Sequence, residues 1–365
     1  MKPRAAIRSA VVALGLIASL PAYAAEATRR DDAYHFALYA SGEHAANYVE
    51  WWYFNLFDAS SRLQLAVTYA ILDPANISGF GTASLAVVAY TPDGAFTETN
   101  VAPPAAFGAS PDQADVLIAG TSRPALNFIQ VLSDDVYRVT GAVDGAHHVS
   151  WNLLYLRQSR SWLAFNRTRV GVLPWEEMGW VQYMPGASVW GDVEIDGRHF
   201  RVSNVRGYHD HNWGTWIPFT VTWNWTQYFE PGLAFSIGDF RNSAAGLVSI
   251  DVAGTRTVFS KDQYFLLHED WRLDLTYHLW FPGKTTLYAS NGREALVVVM
   301  RADDTVPVTP PREIPLPLIP VIYEQTADFS GSFWESDGAG TWRLVRAFRG
   351  GGFKEYTDVT VPPPF

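Results

Sequence analysis

Four consecutive polar residues, His209, Asp210, His211 and Asn212, are the strongest candidates for chemistry in this sequence. They lie within the aromatic-rich stretch "GYHDHNWGTW". A His-x-His pair is a common start of a zinc or iron site, whereas a histidine beside a carboxylate can transfer protons. A structural hydrogen-bond network at a strand end is the third interpretation. The residue types alone leave these three interpretations open.

Strand geometry divides this stretch into two faces. On an extended backbone His209, His211 and Trp213 point one way, and Asp210 and Asn212 point the other. A metal site would need a third ligand from elsewhere in the chain, at no fixed spacing. The candidates for that ligand are His147, His148, His199, His268 and His278. Our prediction is a site without a metal.

A second stretch, "EWWYF", places a carboxylate among aromatic residues. In a strand Glu50, Trp52 and Phe54 share one face, while Trp51 and Tyr53 share the other. If Glu50 points inward, desolvation should raise the pKa of its carboxyl and make it a usable proton donor. The alternative is a glutamate at the rim of the core, beside two buried tryptophans.

The elements that must position these residues are strands. Turn dipeptides such as Asp93-Gly94, Asp196-Gly197 and Asn291-Gly292 separate segments rich in β-branched and aromatic residues, a pattern typical of hairpins. No segment after residue 24 shows helical periodicity for more than two turns. We therefore predict an all-β chain, whose strands must close into barrels or stack as sandwiches. Since 15% of the residues are aromatic, part of them should line a cavity in a small barrel.

The N-terminal 24 residues have the pattern of a cleaved secretory signal peptide. A basic start is followed by a short apolar run and by Ala22-Tyr23-Ala24. The remaining chain has 24 basic and 37 acidic residues, a formal charge of −13, which argues against nucleic acid and anionic membranes as partners. The chain has no cysteine. We expect a periplasmic or secreted protein, without stable membrane insertion after cleavage, that binds a hydrophobic small molecule.

The order and spacing of "EWWYF" and "GYHDHNWG" resemble those of the hydroxyneurosporene synthase family (carotenoid 1,2-hydratases), with its kievitone hydratase and AttH-like relatives and the related fungal Diels–Alderases. The resemblance is strongest from residue 47 to 216 and weaker towards the C-terminus. It implies two consecutive lipocalin-like antiparallel barrels, at 31–215 and 216–365. It also implies a cofactor-independent hydratase, isomerase or cyclase that acts on an isoprenoid-like or polyketide-like molecule.

For a hydratase, the resemblance suggests how "HDHNW" would act. Asp210 or His209 would protonate an alkene carbon, His211 and Asn212 would orient the donor or the water, and Trp213 would stabilise the cation. Residue chemistry adds Glu50 and Asp239 as further carboxylate candidates. The expected substrate-binding residues are Trp51, Trp52, Tyr53, Tyr208, Asn212, Trp223, Trp225 and Tyr228.

A non-catalytic lipocalin-like carrier of a hydrophobic ligand is the alternative function. A carrier needs aromatic walls but has little use for His209, Asp210 and His211 converging on its cavity. If the protein is an enzyme, Asp210→Asn and His211→Ala should abolish turnover while leaving the fold and ligand binding intact.

Overall fold

A computed structural model describes residues 26–119, 126–217, 220–309 and 318–360 of the 365-residue chain. The predicted signal peptide, residues 1–24, lies outside the described residues. Within them, no helix has the length and apolar character needed to cross a membrane.

The prediction of an all-β fold is confirmed, because the described residues form 21 strands and four short 3-10 turns. The turn dipeptides lie between antiparallel neighbours, as predicted. At Asp196 and Gly197 the φ angles are 50° and 81°, the left-handed values that a type I′ hairpin requires at both central positions. The 3-10 turns are Phe36–Leu38, Ala45–Asn47, Pro104–Ala106 and Lys261–Gln263.

The first sheet is antiparallel and curls into a nearly closed barrel. Its strands follow the order β4-β3-β2-β1-β12-β11-β9-β8-β7-β6-β5, with β10 paired to β11. The strands are β1 (Tyr48–Asp58), β2 (Leu63–Leu72), β3 (Thr82–Thr91), β4 (Gly94–Ala102), β5 (Phe107–Ala109), β6 (Val116–Ile118), β7 (Asn127–Ser133), β8 (Val136–Asp144), β9 (His148–Arg157), β10 (Trp162–Arg169), β11 (Glu177–Ile195) and β12 (Arg198–Thr215).

The second sheet is also antiparallel and curls into a half-barrel. Its order is β16-β15-β14-β13-β21-β20-β19-β18-β17. The strands are β13 (Trp223–Glu230), β14 (Leu233–Phe240), β15 (Gly246–Val252), β16 (Thr255–Ser260), β17 (Tyr264–Asp274), β18 (Leu279–Ser290), β19 (Glu294–Val308), β20 (Ile319–Ser336) and β21 (Trp342–Thr360).

The apolar core has three main parts. One fills the first barrel around Trp52 and Tyr137, and another fills the half-barrel around Phe235 and Phe329. A third, which includes Trp180, lies between the two sheets. Consequently β1 and β12 bury both faces, one against the barrel interior and one against the second sheet. The domain boundaries at 31–215 and 216–365 stay a prediction, because two sheets that share a core are not shown to fold separately.

Candidate functional site

The two sequence motifs lie side by side because β1 and β12 are antiparallel neighbours. Trp52 is the register partner of His211, and Tyr53 is the partner of Asp210. The predicted alternation is therefore observed on both strands at once. Into the barrel point Glu50, Trp52, Phe54, His209, His211 and Trp213. Towards the second sheet point Trp51, Tyr53, Tyr208, Asp210 and Asn212.

This arrangement corrects one expectation. His209 and His211 do not converge with Asp210 on one cavity, because neighbouring residues of a strand lie on opposite faces. Each face instead has its own polar cluster. We call them the inner network, inside the barrel, and the inter-sheet site, between the two sheets.

The inner network joins the two histidines to two carboxylates. His209 Nε2 lies 3.0 Å from Asp32 Oδ2, and its Nδ1 lies 2.9 Å from the carbonyl oxygen of Tyr53. His211 Nε2 lies 2.8 Å from Glu50 Oε1. Both imidazoles and both carboxylates are shielded from solvent. Buried charges of this kind are retained when they are paired and hydrogen-bonded.

The carboxylate of Glu50 accepts several hydrogen bonds. Besides His211, its carboxylate accepts the backbone N–H of His35 at 3.0 Å and the hydroxyl of Tyr48. Burial raises the pKa of Glu50, but the hydrogen bonds and charges of His211 and His35 outweigh it, so that the pKa is lowered overall. The expectation of a raised pKa for Glu50 is therefore wrong, whereas a catalytic role of this residue stays a prediction.

Aromatic rings enclose the histidines of the inner network. Phe54 stacks on His209 at 3.9 Å between centroids, and Trp52 stacks on His211 at 4.3 Å. Trp213 stacks on His35 at 3.9 Å. Trp52 and Trp213 thus pack inside the barrel, away from the space between the sheets.

One metal-ligand geometry exists within the described residues. One ligand atom from each of His35, Glu50 and His211 lies within 4.8 Å of the others. The five histidines considered as a third ligand lie elsewhere: His147 and His148, for example, pair with Asp196 and Asp144. The rings of both His35 and His211 contact the carboxylate of Glu50, and Nδ1 of His211 has no hydrogen-bond partner. The absence of a metal from this site stays a prediction.

Asp210 anchors the inter-sheet site. Its Oδ2 accepts the hydroxyl of Tyr208 and the indole N–H of Trp180, both at 2.8 Å, and its Oδ1 accepts the amide of Asn212 at 3.2 Å. Burial raises the pKa of this carboxyl to about 7, although the bonds from Tyr208 and Trp180 act in the opposite direction. Because Oδ2 already accepts two hydrogen bonds, the proton of the neutral acid should reside on Oδ1.

Two neighbouring cavities lie at the inter-sheet site, and we call them the small lobe and the large lobe. The small lobe, about 50 Å³, contains Asp210, and the large lobe, about 420 Å³, extends between β1–β3 and the second sheet. Both lobes are lined by Trp51, Tyr53, Trp216, Trp223 and Glu355. The small lobe is also lined by Asn212, Trp225 and Asp239. Much of the expected aromatic wall is therefore present.

Two predicted residues of the second sheet have other surroundings. Tyr228 lies in the core of the half-barrel and donates to Glu230 at 2.9 Å. It differs from Trp223 and Trp225 by an odd number of positions, which puts it on the opposite face of β13. Asp239 reaches the small lobe, where its carboxylate pairs with Lys261.

Sequence reasoning missed a second pair of carboxylates in the cavity wall. Glu324 Oε1 accepts the hydroxyl of Tyr53 at 2.8 Å, and Glu355 Oε2 accepts the indole N–H of Trp223 at 2.7 Å. Burial, followed by repulsion from Glu355, holds the pKa of Glu324 well above its usual range. Burial also raises the pKa of Glu355. Glu324 begins the stretch "EQTADFSGSFWE", where the family resemblance is weaker, and Glu355 stands in no recognisable motif.

Comparison with solved structures shows a shared fold. The AttH-like protein of Nitrosomonas europaea matches with a TM-score of 0.63 and 15% identity, over 93% of this chain and 98% of that one. Kievitone hydratase of Nectria haematococca matches with a TM-score of 0.57 and 13% identity, over 86% and 89%. CghA in complex with Sch210972 gives the same figures.

These matches confirm the predicted relation in fold to AttH-like proteins and kievitone hydratase. By sequence, no protein-family model and no curated protein matches the chain. At identities this low the likeness concerns the fold alone.

Proposed function

We propose that this protein is an exported, cofactor-independent hydratase, isomerase or cyclase that acts on a hydrophobic isoprenoid-like or polyketide-like molecule in the inter-sheet cavity. The observation that carries the proposal is Asp210. It is a carboxyl with a pKa of about 7 in the wall of an aromatic cavity. A general acid works best when its pKa lies near the working pH.

For a hydration, the proposed reaction begins with proton transfer from Asp210 Oδ1 to one carbon of an alkene. The π electrons form the new C–H bond, and the other carbon becomes a tertiary cation beside Trp180 and Trp225, which line the same lobe. Water then attacks the cation, and the proton it loses restores the carboxyl of Asp210. Tyr208 and Trp180 hold Oδ2 in place throughout.

The inner network has a positioning role in this proposal. His209 Nδ1 contacts the carbonyl oxygen of Tyr53, and Tyr53 is the register partner of Asp210. The inner network therefore helps to hold β1 against β12, the strand that carries the proposed donor Asp210. His211→Ala should accordingly weaken the fold, in contrast to our expectation from the sequence that it would leave the fold intact.

A carrier is the second candidate function, favoured by the large lobe, whose lining residues are mostly apolar. Mass spectrometry of the compounds that co-purify with the protein would provide ligands for testing both functions. Wild type, Asp210→Asn and the control Asp112→Asn, which changes an exposed residue, would be incubated with these compounds. An enzyme should convert one of them, with the conversion lost only in Asp210→Asn. Binding without conversion by wild type would support the carrier.

A further inference from the structure

Glu324, which is buried, and Glu355, which is half-buried, form a pair of neighbouring carboxyls. They are direct register partners on β20 and β21, and their carboxyls are hydrogen-bonded to each other. Like charges directly opposite in a sheet are destabilising. Two carboxyls that share a site ease this repulsion by sharing a proton, and a pair with one shared proton carries one negative charge.

No protein cation neutralises that charge. Within the described part of the chain, no Lys, Arg or His forms an ion pair with Glu324, Glu355 or Asp210 inside 4.0 Å. Asp239, another buried carboxylate of the protein, does have such a partner in Lys261. An uncompensated buried charge is costly, so a cationic ligand would find its counter-charge already in place.

The walls beside the pair suit a cation as well. Trp223 stacks parallel to Trp216, with an interplanar angle of 7°, and Trp216 contacts Trp51 at 5.2 Å between centroids. Indole faces attract ammonium groups, and recognition sites for such groups commonly combine aromatic rings with carboxylates. Glu355 retains some accessible surface and lines both lobes, so its carboxylate is within reach of a bound molecule.

We propose that Glu324, Glu355 and the wall formed by Trp51, Trp216 and Trp223 recognise the protonated amine of a hydrophobic ligand. The inference rests on the proposed function only in placing the ligand in the inter-sheet cavity, and it requires no catalysis. The ammonium group would lie against the indole faces, with its N–H groups donating to Glu355. The apolar remainder would occupy the large lobe.

The test compares the binding of geranylamine with that of geraniol, which has the same carbon skeleton but no charge. Calorimetry should show that wild type binds the amine about tenfold more tightly or better. The double variant Glu324→Gln/Glu355→Gln should bind the two compounds equally. The control Glu335→Gln alters a half-exposed glutamate of the same strand and should keep the preference.

Two results would overturn the inference. One is equal binding of both compounds by wild type, a comparison that needs no variant and is unaffected if the double variant fails to fold. The other is a preference that survives in a folded double variant. Failure of the enzymatic proposal has a different signature, since a protein that prefers the amine but converts no co-purified compound would be a carrier of cationic ligands.

Discussion

Replacing Asp210 by asparagine should change how the stability of the protein depends on pH. A raised pKa in the folded state means that the carboxyl stabilises the fold fully below its unfolded pKa, and that this stability is lost as pH rises through the folded pKa. With 3.8 as the unfolded value and about 7 as the folded one, the loss approaches about 4 kcal/mol at high pH. Between pH 5 and pH 8 it amounts to about 3 kcal/mol.

Asparagine removes the titration but keeps most of the contacts. Its carbonyl oxygen can still accept from Tyr208 and Trp180, and Asn212 can present its own carbonyl oxygen to the new amide group. The stability of Asp210→Asn should therefore not show the loss that the titration of Asp210 causes in wild type between pH 5 and pH 8. At pH 8 the variant should be more stable than wild type.

Urea denaturation of both proteins at several pH values between 5 and 8 measures this difference. Asp112→Asn, which removes an exposed carboxylate, should follow the wild-type curve. Parallel curves for wild type and Asp210→Asn would refute the reasoning, because they would show that Asp210 does not titrate in this range.

Three further predictions concern Asp210, the packing around Trp180 and the inner network. Conversion of a co-purified compound should fall as pH rises through about 7, since Asp210 is a donor only when protonated; a pH–rate profile tests this. Gly238→Ala would place a Cβ 2.2 Å from the Trp180 ring, so urea denaturation should show a loss of about 1–3 kcal/mol, whereas Gly108→Ala, which meets nothing within 4 Å, should be neutral. Glu50→Gln, which replaces the buried carboxylate that accepts hydrogen bonds from His35 and Tyr48 and contacts His211, should cost about 1–3 kcal/mol in the same assay, while geraniol binding by the protein that remains folded is retained.

The local structure of the site could be predicted because strands alternate strictly. The parity of residue numbers assigned His209 and His211 to one face and Asp210 to the other. The same rule, applied to Tyr228, would have placed it opposite Trp223 and Trp225. Tyr228 was grouped with Trp223 and Trp225 because all three are aromatic, although they do not share a face of the strand.

The partners of those side chains could not be predicted from local patterns. Asp32 and His35 lie in a segment without periodicity, and only the packing of that segment against the barrel brings them to His209 and Glu50. Glu324 lies 271 residues from Tyr53, which donates to it. Long-range contacts of this kind are set by sheet order, which the hydrophobic pattern of a single strand does not encode. The resemblance based on two motifs supplied the fold but named none of these partners.

Isotope transfer from solvent tests whether Asp210 protonates an alkene in the inter-sheet cavity. A co-purified alkene would be incubated with wild type and with Asp210→Asn in D₂O, and the deuterium at each carbon would be located by NMR. We expect one deuterium at the protonated carbon with wild type and none with Asp210→Asn. Equal labelling by both proteins, or conversion by wild type without any deuterium, would contradict this role of Asp210.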